Sequence, residues 1–122
     1  IYVFLIVEGF KSNNFFGGST LEYAKEYIVC AAVWYKDGGV YIHQPKNIED
    51  GFVVAGRRHH NCFITVKILR GEAIKKIEPT RVTQGFISSE DRFVSRIEAA
   101  SIAYKAGQIN KSKQELFSED LY

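Results

Sequence analysis

The sequence predicts an α+β fold: one domain in which an antiparallel β-sheet is packed by about two α-helices. Three observations predict it. The chain has 122 residues, which suits a single two-layer domain spanning 1–122 and is too short for two independent cores. Its first half reads as β-rich segments separated by Asp-Gly turns, and from Gly56 onward apolar residues recur at helical spacing. With 46% hydrophobic and 25% charged residues, the composition is that of a folding globular chain and not of a disordered one.

Taken in order, Ile1 to Val7 is an apolar run expected to form a strand. It is too short to span a bilayer and lacks the basic flank and cleavage signal of a secretory leader. With no methionine in the sequence, the initiator is expected to have been lost or trimmed. Gly9 to Ser19 carries Asn13, Asn14, Gly17 and Gly18, which favour turns, and Phe15 and Phe16, which can pack. An ordered loop is expected there. Glu26 to Tyr35 reads as a long strand ended by Asp37-Gly38-Gly39, a hairpin signal, with Val40 to His43 as its returning partner. Pro45 and Asn47 stop that strand, Asp50-Gly51 makes another turn, and Phe52 to Ala55 forms a further strand.

After Gly56 the residues His59, Cys62, Phe63, Val66 and Leu69 predict a helix that stops at Gly71. The β-branched cluster Ile64, Thr65, Val66 and Ile68 favours a strand instead, so both readings stand. Gln84 to Ser88 is a short strand and Ser89-Glu90-Asp91 a turn. Ser95 with Glu98 makes a capping box, each side chain satisfying a free amide of the helix start, and Gly107 closes the helix. On that helix Glu98, Ser101 and Lys105 form a narrow polar arc while Ile97, Ala99, Ala100, Ile102, Ala103, Tyr104 and Ala106 fill the rest, so a second subunit is expected to cover part of it. Leu116 to Tyr122 either frays or docks through Leu116, Phe117, Leu121 and Tyr122.

Composition also limits function. Sixteen basic residues against 14 acidic ones leave a net charge of +2, too weak for general nucleic-acid binding, so any anion site is local. Cys30 and Cys62 lack CxxC spacing; free thiols in a reducing compartment are expected, the alternative being one disulfide. Nucleophile-elbow, zinc-deaminase and Walker motifs do not occur.

Two constellations carry chemistry. In Gly56-Arg57-Arg58-His59-His60-Asn61 a glycine turns the chain from strand to helix, and the next residues open that helix. Free amides, the positive end of the helix dipole and guanidinium forks together suit a phosphate. Against this stands simple solvation of Arg57 and Arg58, or pairing with Glu49, Asp50 or Glu90. Adjacent histidines point about 100° apart on a helix and lack further ligands, so no metal is expected. His59 leads the apolar face and His60 is the better ligand contact.

The second constellation runs from Gly85 to Arg96. Phe86 or Phe93 would stack on a base, Asp91 would accept hydrogen bonds from ribose hydroxyls or an adenine amine, and Arg92 or Arg96 would bind phosphate. Core packing of the aromatics is the competing reading. Arg96 falls in the apolar arc of its helix and needs a partner: Asp91, Glu98 of another subunit, or ligand phosphate.

Several strings together carry a resemblance: Tyr27 to Cys30, Gly56 to Cys62, Gln84-Gly85-Phe86 followed by Arg92 to Ala100, Ala106-Gly107-Gln108, and Leu116 to Tyr122. In them the chain resembles the phage Thoeris anti-defence family, the first-described sponges for cyclic ADP-ribose isomers. The likeness covers most of residues 26–122, with the Asp37 to Gly51 hairpin as an insertion.

The resemblance implies an antiparallel sheet packed by helices, and a homodimer or larger homo-oligomer with ligand pockets between subunits. It implies sequestration of glycocyclic ADP-ribose in the bacterial host cytoplasm without cleavage, with no catalytic residue and no cofactor. Cyclic oligonucleotide signals at separate sites are implied for some relatives. By motif, the ligand-binding residues are drawn from Arg57, Arg58, His60, Phe86, Ser88, Asp91, Arg92, Phe93 and Arg96. Two alternatives remain: a phosphodiesterase-like or glycohydrolase-like enzyme using His59 or His60, and an inhibitor acting through protein contacts.

Overall fold

The structure, a computed structural model, describes residues 26–122. The strand expected at Ile1 to Val7 and the loop at Gly9 to Ser19 lie outside the described residues. Four strands form one antiparallel sheet: β1 (Ile28–Tyr35), β2 (Phe52–Gly56), β3 (Val82–Ser88) and β4 (Phe93–Ser95), in spatial order β2-β1-β3-β4. Two helices, α1 (His59–Arg70) and α2 (Arg96–Lys105), pack on it, so the expected α+β class is the observed one.

Period-two alternation explains the layers. Ala31, Val33 and Tyr35 of β1, Phe52 and Val54 of β2, Phe86 of β3 and Val94 of β4 face the helices. Cys30, Ala32, Val53, Ala55, Ile87 and Phe93 form a second buried cluster on the opposite face, joined by Trp34 and Ile48. Since both faces of β1 are covered, the strand reads as an almost unbroken apolar run.

The segment Val40 to His43 is not the returning strand. Val40 makes only an isolated bridge with Gly51, and the antiparallel partner of β1 on that side is β2, from Ala31 opposite Gly56 to Tyr35 opposite Phe52. The turn amides are satisfied otherwise: Gly39 N–H donates to Asp37 Oδ1 (2.9 Å) and Gly38 N–H to Asp50 Oδ1 (2.7 Å). The chain then crosses to the far side of the sheet, where Asn47 exchanges two hydrogen bonds with the backbone of Phe93 (2.8 and 2.9 Å). Gly51 returns it to β2 at φ +80°, with a Cβ there falling 1.9 Å from Tyr35 O, so no larger residue fits.

The ambiguous segment after Gly56 is a helix. Its buried stripe is narrow, His59, Cys62 and Val66, while Phe63 and Leu69, expected inside, are exposed along with Ile64 and Ile68. In α2, the alanines at 99, 100 and 103 are buried and bring the backbone close to Phe86 and Val94. Only half of its capping box forms: Ser95 Oγ accepts from Glu98 N–H (3.1 Å), but the Glu98 carboxylate turns to Arg92 (3.0 Å). Beyond Gly107 (φ +76°), the Gln108 side-chain amide pairs with both backbone groups of Ile28 (2.7 and 2.8 Å), fastening this loop to β1. The C-terminal segment docks: Leu116 is fully buried, and Ser118–Asp120 forms a 3-10 turn.

Candidate anion site at the start of helix α1

β2 leads directly into α1. A Cβ at Gly56 would meet Asn61 Cβ at 3.1 Å, so the bare glycine lets strand and helix approach. Arg58 is the N-cap in extended backbone, and its N–H donates to Asn61 Oδ1 (3.1 Å). No acidic residue occupies the first turn of α1, so the positive end of its dipole is uncompensated from within the helix.

Both arginines lie on one aromatic ring. The guanidinium carbons of Arg57 and Arg58 stand 5.2 and 5.3 Å from the Tyr122 ring centroid, and Arg58 Nη2 donates to the Tyr122 main-chain oxygen. Arg57 is exposed and Arg58 half-buried. Among the described residues neither pairs with an Asp or Glu side chain, and Arg58 Nη1 is buried without a hydrogen-bond partner. The competing expectation of pairing with Glu49, Asp50 or Glu90 is therefore not met. His60 is exposed beside them.

Immediately behind lies a saturated network. His59 is buried and its Nε2 contacts Gly85 O at 2.8 Å; since a carbonyl only accepts, the contact assigns the proton to Nε2 and leaves Nδ1 as acceptor toward Arg96 Nη2 (3.4 Å). Burial first, then the Arg96 charge, hold the imidazole below its ordinary titration range, against the opposing hydrogen bond to Gly85. Arg96 Nη1 donates to Leu116 O (2.9 Å), Nη2 to Gln84 Oε1 (2.6 Å), and the guanidinium lies 4.7 Å from the Phe117 ring centroid. Within this chain the partner required by Arg96 is thus not Asp91. Carbonyl, amide and ring groups supply it, and in doing so tie down the C-terminal segment.

The remaining site candidates fall elsewhere. Phe86 is fully buried with its ring edge-on to His59 (5.1 Å), and Phe93 is buried against Trp34 (5.5 Å), so both rings serve the core of the protomer. Ser88 is buried and its hydroxyl donates to Glu26. Arg92 grips Glu26 in a fork (Nε to Oε2 and Nη2 to Oε1, each 2.9 Å) and reaches Glu98. Glu26 is consequently held below its ordinary range, chiefly by Arg92. Asp91 occupies the turn between β3 and β4 at φ +61°, its carbonyl accepting from Lys46 N–H (2.9 Å).

The structure therefore unites Arg57, Arg58 and His60 with Arg96 behind them through His59, and gathers Ser88 and Arg92 in a separate acid-paired network. The site reading did not include Tyr122, Gln84 or Glu26. Tyr122 had a signal only as a docking aromatic in the tail. No spacing rule connects it to arginines at positions 57 and 58.

Among the described residues no group of three or more His, Cys, Asp or Glu side chains is placed to hold a metal ion, and no helix is long and apolar enough to cross a membrane. Comparison with known families matches residues 27–122 to a family described as Phage T4 y16D protein. No curated protein and no solved structure matches the chain.

Proposed function

The chain belongs to the Phage T4 y16D protein family, and from that phage setting we propose that it is an anti-defence protein that binds a cyclic ADP-ribose-type immune signal. The ligand is glycocyclic ADP-ribose, held without cleavage so that the Thoeris effector stays inactive in the host cytoplasm. The observation that carries this reading is the pair Arg57 and Arg58 at the uncompensated start of α1, both beside one ring and without an Asp or Glu side-chain partner among the described residues. A cyclic ADP-ribose isomer carries two adjacent phosphates, each a partner for planar N–H forks and helix amides.

Binding without turnover fits the surroundings of His59. Both ring nitrogens of His59 are engaged, one donating to Gly85 O and one facing Arg96, so it has no lone pair free to accept a substrate proton. Exposed Ile97 and Tyr104, one face of α2, supply the surface on which a second copy would complete the pocket. Cyclic oligonucleotides belong to a separate site in this scheme. In the test, protein and cyclic ADP-ribose isomer are mixed, heated and centrifuged, and the supernatant is assayed. Intact ligand returning in full supports sequestration; chemical loss of the ligand that disappears in His60→Ala identifies an enzyme instead.

A further inference from the structure

We propose that Tyr122 is a positioning residue of this anion site, its ring drawing the Arg57 and Arg58 guanidinium groups together. The proposal rests on the reading of the α1 start as a phosphate site. Two neighbouring cations repel, and long arginine side chains otherwise sample many rotamers. A ring face carries negative potential and attracts both cations. Arg57 is exposed, so its N–H donors stay open to a phosphate while the ring attracts its charge. Arg58 is held twice, by the ring and through Nη2 to the Tyr122 main-chain oxygen.

The ring is itself placed from a distance. Arg96 O accepts from Leu116 N–H (2.9 Å) and Arg96 Nη1 donates to Leu116 O (2.9 Å), a two-way clamp around a fully buried leucine. Leu121 N–H then donates to Ser118 O (3.1 Å), and Lys113 pairs with Asp120 (2.6 Å), turning the chain back over α1. Arg96 therefore acts on the site through the tail it anchors.

The probes are inorganic pyrophosphate and a cyclic ADP-ribose isomer, titrated calorimetrically into the full chain. Tyr122→Phe keeps the ring and is expected to bind within about twofold of the parent, whereas Tyr122→Leu loses about tenfold, the scale of two exposed cation–π contacts. Phenylalanines bearing one, two and three ring fluorines at position 122 keep the shape while draining the ring face, so affinity should fall stepwise along the series. That graded loss is something a purely structural role would not produce, and it remains readable if Tyr122→Leu fails to fold. A flat fluorine series while Arg57→Ala abolishes binding would overturn the positioning role and leave the phosphate site standing. Tighter binding by Tyr122→Leu would make the ring a plug and overturn it too. Equal binding by the parent and Arg57→Ala would remove the site itself, and the proposal with it.

Discussion

Arg57 and Arg92 are both arginines of the candidate set, yet their surroundings assign them different effects. Arg57 lies over the Tyr122 ring and makes no ion pair among the described residues, so Arg57→Ala should weaken binding of a cyclic ADP-ribose isomer by about 1.5–3 kcal/mol, the scale of a charged hydrogen bond. Calorimetric affinity with an unchanged melting temperature is the expected pair of results. Arg92 makes three hydrogen bonds to two carboxylates, so Arg92→Ala should first lower the melting temperature by leaving Glu26 unpaired beside buried Ser88. The cysteines give a cleaner check. Burial pushes the thiols of Cys30 and Cys62 up to about 12, so neither should react with a disulfide reagent near neutral pH until the chain is denatured. Fast modification of the native protein would contradict the buried positions.

Elements were legible where local chemistry alone decides them. Ser95 and Gly107 bracket α2 because capping and positive φ are properties of one or two residues. Ser95→Ala should therefore cost about 1 kcal/mol in urea unfolding through the lost bond to Glu98 N–H. Val40 to His43 misled because an Asp-Gly-Gly turn followed by apolar residues has the local form of a hairpin. What it lacks is a facing surface: Val40 is 87% and Ile42 75% exposed, and β2 already fills the edge of β1. The three-residue β4 had no sequence signal, since its pairing depends on β3 and on Asn47 reaching across from the β1–β2 connection. The tail stood between fraying and docking because Leu116 gains its burial only against α2 and the sheet. Leu116→Ala should cost about 2–5 kcal/mol, measured by denaturant midpoint, as a buried leucine truncation does.

At the scale of the whole molecule the candidate site was half legible. The strand-glycine-arginine-helix string is local, whereas the ring beneath the arginines and the His59–Arg96 contact join positions far apart in the chain. The same long-range contacts couple the site to acid stability. His59 is held neutral, so above its ordinary value of 6.5 it contributes fully; as pH falls below that, the unfolded chain takes up a proton that the folded chain refuses, and stability drops. Glu26 is depressed by Arg92, so its contribution is complete above 4.5 and is lost as pH falls through that value toward the folded one. Urea midpoints from pH 8 to pH 3 should therefore decline in two stages, one beginning near 6.5 and one near 4.5. His59→Gln should flatten the first and Glu26→Gln the second. An imidazolium at position 59 would also face the Arg96 cation that clamps Leu116, so ligand affinity should fall only at lower pH, where the folded chain itself takes up that proton and the tail carrying Tyr122 loosens. If affinity stays constant even where the folded chain takes up that proton, the tail and the arginine pair are energetically independent.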